Sequence, residues 1–132
     1  IKVVGIALHG GSWADIQQAA SELAAVLRTL ETLPLLVISS DLNHYASDSE
    51  NRRLDRMALD AFATCDPQKL LETCREKDIS MCGVIPATLV METLRQLGQE
   101  FQVQEVEYGT SGDVSGDRSQ VVGYAGALLL AK

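Results

Sequence analysis

The sequence predicts a single α/β domain of three layers, from the order of its apolar runs and its helical segments. Residues 1–8 and 33–40 are continuous apolar runs, which are typical of strands covered on both faces. A segment with helical periodicity separates them, several more follow, and two strand-like runs come last. Strand, helix, strand, helices, strand, strand is the order of a sheet packed between helices. Since no repeat or low-complexity linker interrupts residues 1–132, one domain is expected.

The first half of the chain predicts two strands and the helix between them. IKVVGIAL is rich in β-branched residues, and a chain that opens directly in a strand looks like part of something longer. Ser12 and Asp15 have the spacing of a capping box. One apolar face of a helix follows, formed by Ile16, Ala19, Ala20, Leu23, Leu27 and Leu30. LPLLVISS is the second strand and stops at Asp41.

The second half predicts three helices and two strands. The first helix carries the apolar stripe Leu54, Met57, Ala58, Ala61 and Phe62. Asp66 is a helix N-cap with Pro67 at the first helical position, and a third helix runs over residues 86–97 until Gly98. FQVQEVEY (101–108) alternates as a half-exposed strand does, and VVGYAGALLLA (121–131) is most simply a buried strand.

Composition narrows the classes of partner. The net charge is −7 and is spread evenly, so no basic patch favours binding to nucleic acid or to an anionic membrane surface. Three cysteines are an odd number, which favours free thiols in a reducing cytoplasm over a disulfide framework. The longest apolar run, residues 121–131, is too short to cross a bilayer.

A first polar cluster, SSDLNHY (39–45), follows the second apolar run. Asp41 and His44 are three residues apart and would share a face in a helical turn. A carboxylate beside an imidazole fixes its tautomer and raises its basicity, which suits a general base or a group near a metal. A capping motif, in which Ser and Asp bind the backbone of a following turn, explains the same residues.

The second cluster is MCGVIP (81–86). Cys82 lies just before a predicted helix, whose N-terminal dipole favours the thiolate that acts as nucleophile or metal ligand. Gly83 allows another group to approach the backbone closely. The alternative is that Cys82 is a small buried hydrophobic residue, as is expected for Cys65 and Cys74.

The third cluster is TSGDVSGD (110–117). Gly112 and Gly116 permit left-handed backbone, and successive N–H groups in such turns form anion-binding hollows. Asp113 and Asp117 could orient partners or cap the next strand, and a long structural turn is the alternative. A nucleotide loop is excluded because the Walker lysine and a following helix pattern are absent. His9, before two glycines, is interpreted as a loop residue.

Together these clusters resemble the hallmark segments of the Memo family, whose bacterial and archaeal members are called AmmeMemoRadiSam system protein B. The segments SSD-x-x-HY, CG-x-x-P and TSGDVSGD followed by VVGYA stand in the family's order over about residues 35–127. Asn43 stands where Ser is common. Family members are roughly twice as long, and their upstream half carries two histidine segments that match nothing here. The chain therefore resembles the C-terminal half of a Memo-like domain.

The resemblance implies a three-layer α/β/α sandwich similar to the class III extradiol dioxygenases (LigB-like), and a pocket for iron (Fe2+) or copper. Carried over, Cys82 and His44 would be metal ligands, and His44 oriented by Asp41 would be the catalytic pair. The glycine-rich loop would form the pocket wall through Gly112, Asp113, Ser115 and Gly116. Because the family's other histidines are missing, we expect weak or no metal binding by these 132 residues alone.

Three functions remain open at the level of sequence. The first is a metal-dependent, dioxygenase-like oxidoreductase. The second is a non-catalytic module that binds a small molecule or peptide, or that assembles with radical-SAM and AMMECR-type proteins; no Arg cluster accompanies the loop, which argues against capture of phosphorylated partners. The third is thiol chemistry, with Cys82 as nucleophile, His44 as base and Asp41 as orienting group.

Overall fold

The computed structural model describes residues 2–132, which form a mixed α/β domain. The elements in chain order are α1 (Trp13–Leu27), β1 (His44–Ala46), α2 (Asp48–Ala63), α3 (Pro67–Glu76), α4 (Val84–Gln96), β2 (Phe101–Thr110), α5 (Ser111–Ser115) and β3 (Val121–Ala131). Within these residues, no helix combines the length and the apolar character needed to cross a bilayer.

The described strands form an antiparallel sheet in the order β1-β3-β2. β2 and β3 pair along almost their whole length, from Phe101 opposite Ala131 to Thr110 opposite Gly123. β1 pairs only with the first residues of β3, and the backbone of Gly123 extends this contact by bonds to Leu42 and Asn43. The short β1 therefore joins the segment that carries His44 to the middle strand of the sheet.

Two helices begin where their capping residues predict. Ser12 and Asp15 form a complete capping box at the start of α1, and Asp66 accepts two backbone N–H groups at the start of α3. The predicted third helix begins at Val84 with Gly83 as N-cap, two residues earlier than expected. The helix starts predicted from Ser12 and Asp66 are confirmed, because capping signals of this kind are local and need no tertiary partner.

One apolar core joins three helices to the sheet. Its buried members are Ala58, Ala61, Leu70, Cys74, Ile79, Ala87, Met91 and Phe101. A second cluster packs α1 on α4 and α3 through Ile16, Ala20, Leu71 and Leu89. The two clusters hold α4 between α1 and the remaining core, so the loop that carries Cys82 enters a helix packed on several sides.

The prediction of two buried N-terminal strands is wrong for the described residues. Residues 2–8 and 33–40 belong to no helix or strand, and Ile1 lies outside the described residues. Val3 and Val4 are each 86% exposed, and Leu35 is 88% exposed. A strand needs a neighbouring edge as well as an apolar sequence, and β1 reaches only the beginning of β3. The sheet that results is small and antiparallel, without parallel strands among residues 2–132.

Candidate metal centre

Asp41, His44 and Cys82 converge at one end of the sheet. Each offers one ligand atom, and these oxygen, nitrogen and sulfur atoms all lie within 4.8 Å of one another. Asp41 and His44 are partly buried, whereas Cys82 is exposed. Two of the three polar clusters in the sequence thus meet in space, although about forty residues separate them along the chain.

His44 presents a buried ring nitrogen without a partner. Its backbone N–H donates to Ser80 Oγ at 2.9 Å, and Tyr45 after it has a left-handed φ of 64°, which turns the chain sharply. His44 Nε2 has no hydrogen-bond partner among residues 2–132, and Asp41 Oδ2 lies 3.7 Å away, too far for a hydrogen bond. A buried polar nitrogen without a hydrogen bond costs about 1–3 kcal/mol. A ligand that bonded to Nε2 would remove this cost, and no hydrogen bond within residues 2–132 competes for the atom.

Cys82 is held by the loop that precedes α4. The backbone N–H of Asp41 donates to Cys82 Sγ at 3.1 Å, and the N–H of Gly83 donates to Ser40 Oγ at 2.9 Å. A Cβ at Gly83 would lie 2.5 Å from Ser40 Oγ and 2.8 Å from Ser39 O, so no larger residue fits. Glycine is therefore required after Cys82, because the loop before α4 and the loop that carries Ser39 and Ser40 cross in direct contact at this position.

The three thiols occupy different environments. Cys82 is exposed at the site, which excludes the alternative of a buried packing role for it. Cys74 is buried within α3, where burial raises the pKa of its thiol to about 11, and Cys65 is half-buried after the end of α2. The hydrogen bonds of Cys82 Sγ run to Asp41 and Ser40 rather than to the imidazole that the thiol hypothesis requires.

A buried polar network, which the sequence analysis missed, lies behind His44. Asp55 and Asn51 on α2 are fully buried, as is nearly all of Asn43. Burial raises the pKa of the Asp55 carboxyl, against the lowering effect of hydrogen bonds from Tyr108, Asn43 and Asn51. The signal that could have revealed it is the spacing of Asn51 and Asp55, four apart and beside the apolar stripe of the helix rather than on its solvent face.

The glycine-rich loop is more ordered than the sequence suggested. Ser111–Ser115 form the short helix α5, which begins with Asp113 accepting the Thr110 N–H at 2.9 Å and ends at Gly116 with a left-handed φ of 78°. Of the two glycines, only Gly116 uses the left-handed conformation. A Cβ at Gly112 would lie 2.9 Å from Asp117 O and 3.0 Å from Val121, so this glycine lets the loop close on β3.

Two arginines fasten this loop, contrary to the expectation that no Arg cluster accompanies it. Arg52 on α2 and Arg118 both bond Asp113, at 2.6 and 3.1 Å, and both also bond Asp48. Hydrogen bonds from Arg52 and Thr110 lower the pKa of Asp48 to about 2. Since these carboxylates neutralise the arginines, the cluster is an internal clamp.

The residues predicted as pocket wall are thus bonded mainly to other parts of the molecule. Asp113 contacts α2, Gly112 packs beside β3, Ser115 Oγ accepts the Asp117 N–H at 3.1 Å, and Gly116 ends α5. Contact of these residues with Cys82 or His44 stays a prediction. What the structure adds is that the loop is anchored to the same strand, β3, that pairs with His44.

An apolar groove of about 440 Å³ lies beside the candidate metal centre. Residues 35–38 and the second half of β3 both line it, together with Ser40 and Met81, the chain neighbours of Asp41 and Cys82. The same segment that leads to Asp41 and His44 therefore forms one wall of the groove. None of the three candidate ligands lines it.

Comparison with known proteins identifies the same family that the three polar clusters resemble. The model of the family described as Memo-like protein matches residues 1–128. The MEMO1 family protein of Archaeoglobus fulgidus is 37% identical over 128 residues, and the match covers 97% of this chain but 48% of that protein. The MEMO1 family protein of Thermotoga maritima is 35% identical over 130 residues, with 98% and 44% covered.

A third relative, the MEMO1 family protein of Desulfurococcus amylolyticus, is 42% identical over 91 residues, which are 69% of this chain and 31% of that protein. The chain thus spans about half the length, or less, of these relatives. The family model nevertheless matches the chain almost throughout, including all three polar clusters. This chain belongs to the Memo-like protein family.

Proposed function

We propose that this chain supplies one side of a metal pocket, and that the complete pocket serves a metal-dependent oxidoreductase related in chemistry to the class III extradiol dioxygenases. The observation that carries the proposal is the convergence of three donors of different type within 4.8 Å, one of them a buried imidazole nitrogen with no partner among residues 2–132. Such an atom is unfavourable in a finished structure unless a ligand completes it.

The donor set fits iron or copper. Imidazole and carboxylate together suit non-haem Fe(II), and a thiolate also suits Cu(I). His44, Asp41 and Cys82 would hold the ion, which would supply Lewis-acid and one-electron redox chemistry when bound. The exposed position of Cys82 leaves the open side of the cluster accessible to a substrate. Asp41 is at 3.7 Å from the ring nitrogen, so it suits the role of a third ligand as well as that of an acid–base group.

The complete pocket requires more polypeptide than these residues provide. The relatives are about twice as long, and three ligands leave further positions on an Fe(II) ion for histidines from the family's upstream half. In the complete protein, residues 2–8 and 33–40 would become strands of a larger sheet between two layers of helices. Their exposed valines and leucines support this extension, because apolar side chains of that kind belong in a sheet interior. A cytoplasmic location accords with the free thiols.

Metal titration tests the proposal. Anaerobic Co(II), which reports thiolate ligation by its absorption, is titrated into this chain and into the full-length relative from Archaeoglobus fulgidus. We expect tight, stoichiometric binding by the relative and weak binding by this chain. Cys82→Ser and His44→Ala should abolish the weak binding, whereas Cys74→Ser, the matched control at a buried thiol, should not change it. Equal metal content in the parent and Cys82→Ser would refute the proposal.

A binding or assembly role is the second candidate, favoured by the apolar groove beside the cluster. A groove of about 440 Å³ lined by leucines suits an apolar side chain of a peptide or a small molecule, and radical-SAM and AMMECR-type proteins are the proposed assembly partners. Under this function, partner binding persists in Cys82→Ser and is lost when Leu128 is replaced by Asp. The opposite pattern favours the metal-dependent function.

A further inference from the structure

We propose, resting on the metal pocket proposed above, that Asp55 is a positioning residue that holds the His44 loop and the Cys82 loop in fixed relation. Asp55 lies in the interior on α2 and acts through other residues rather than on the ion. Three features give Asp55 this role: the hydrogen bonds of its carboxylate, the hydrogen bonds of Asn43, and the absence of a side chain at Gly123.

The first feature is the saturation of the Asp55 carboxylate. It accepts hydrogen bonds from the Asn43 N–H at 2.7 Å, the Asn51 Nδ2 at 2.9 Å and the Tyr108 hydroxyl at 2.7 Å. A buried carboxylate is costly unless it is bonded in this way, and charge-assisted bonds are short and directional. The backbone of Asn43, the residue before His44, is therefore fixed with respect to α2.

The second feature is the pair of loops joined by Asn43. Its Oδ1 accepts the Ser80 N–H at 3.0 Å and the Ser80 hydroxyl at 3.1 Å, and its Nδ2 donates to Asn51 at 2.8 Å. Ser80 Oγ in turn accepts the His44 N–H at 2.9 Å. Ser80 is two residues before Cys82, so the same network holds both ligand-bearing segments.

The third feature is the fit of Gly123 against the carboxylate. A Cβ at Gly123 would lie 2.6 Å from Asp55 Cγ and closer still to Oδ2. The backbone of Gly123 pairs with Leu42 and Asn43, so β3, the His44 loop and Asp55 meet at one point. An apolar side chain at position 55 would remove the cost of burying a carboxylate, but it would leave the three donors without an acceptor and the Asn43 backbone without its bond to α2. The carboxylate is therefore explained by the geometry that it imposes.

Amide hydrogen exchange and Co(II) binding test the inference on the 132-residue chain. Asp55→Asn keeps the shape but turns an amide toward one of the three donors. We expect exchange at the amides of His44 and Ser80 to accelerate at least tenfold, while exchange at Met91 in the core changes less than twofold. The Kd for Co(II) should rise about 10–100-fold, as is usual when a group that orients a metal ligand is removed.

Tyr108→Phe is the matched control. It removes one hydrogen bond from the same carboxylate but leaves the bond to the Asn43 N–H intact, so exchange at His44 and Ser80 should stay within twofold of the parent. The inference would be overturned if the amides of His44 and Ser80 exchanged at the parental rate in Asp55→Asn, or if exchange at Met91 accelerated equally. A parent chain that binds no Co(II), with the loop amides still accelerated in Asp55→Asn, would instead count against the proposed function alone.

Ser80→Ala provides a second variant if Asp55→Asn does not fold. Ser80 is exposed, so its replacement should leave the fold intact. It removes the acceptor of the His44 N–H and keeps the Asn43 backbone bond to Asp55. We expect faster exchange at His44 with unchanged exchange at Asn43. Acceleration at both, or at neither, contradicts the network.

Discussion

A double-mutant cycle on Gly123 and Asp55 measures how closely β3 is fitted to the buried carboxylate. An added Cβ at Gly123 would lie 2.6 Å from Asp55 Cγ, whereas carbon atoms in contact are separated by about 3.5–4.0 Å. One of the two must move by about 1 Å, which disturbs three hydrogen bonds of a buried carboxylate. Gly123→Ala should therefore lower the free energy of unfolding by about 3 kcal/mol.

Asp55→Ala should cost about the same, because it leaves the three donors without their acceptor. Independent effects would sum to about 6 kcal/mol. Since the clash disappears with the carboxylate, the free energy of unfolding of the double variant should fall by only about 4 kcal/mol. The difference from the additive sum is a coupling energy of about 2 kcal/mol between the two positions. Urea unfolding followed by circular dichroism gives each value. Gly126→Ala is the control, because its Cβ would meet only Val106 at 3.8 Å, and it should cost less than about 1 kcal/mol. Additivity within about 0.5 kcal/mol would refute the reasoning.

Three further predictions concern single groups. The pKa of Asp48 is lowered to about 2 in the folded chain from 3.8, so its stabilising contribution is complete above about pH 4 and is lost as the pH falls through about 2. Acid unfolding monitored by circular dichroism should show this loss of stability. Asp48→Asn should flatten the dependence of stability on pH in this range. Iodoacetamide at pH 8 should alkylate Cys82 at least about tenfold faster than Cys74, because the Cys74 thiol is buried and its pKa is raised. Mass spectrometry of the peptides measures both rates, and equal rates would contradict the assigned burial. Gly83→Ala should weaken Co(II) binding at least about tenfold, because its Cβ would lie 2.5 Å from Ser40 Oγ and would push the crossing loops apart. An affinity for Co(II) equal to that of the parent chain would show that the loops can separate without harm to the site.

Local signals in the sequence were sufficient for most helices and for the existence of the two long strands, although β3, predicted as a buried strand, is buried only at Val121 and Gly123. Ser12 and Asp66 marked two helix starts correctly, and the alternation of residues 101–108 identified β2. The meeting of His44 with Cys82 was expected because both lie at the ends of predicted elements and resemble segments of one family. It is confirmed by the distance between their ligand atoms.

The failures have a common physical cause, which is that partners distant in sequence decide the outcome. The apolar character of residues 2–8 and 33–40 predicted strands but could not supply the edge with which they pair. The arginine clamp escaped notice because Arg52 is 61 residues from Asp113. Asp55 was missed because a polar residue on a helix is ordinarily assigned to solvent, and only the folded chain brings Tyr108 and Asn43 to it.

The uncovered apolar segments have a consequence for handling the protein. Val3, Val4, Leu35 and Val37 are each more than three-quarters exposed, in β-branched and leucine-rich segments outside the helices and strands, a combination that favours intermolecular strand pairing. The yield of refolding should therefore fall as the protein concentration rises, and light scattering during dilution from urea should detect aggregates. A lysine introduced at Val4 should act as a gatekeeper and keep the chain soluble at higher concentration.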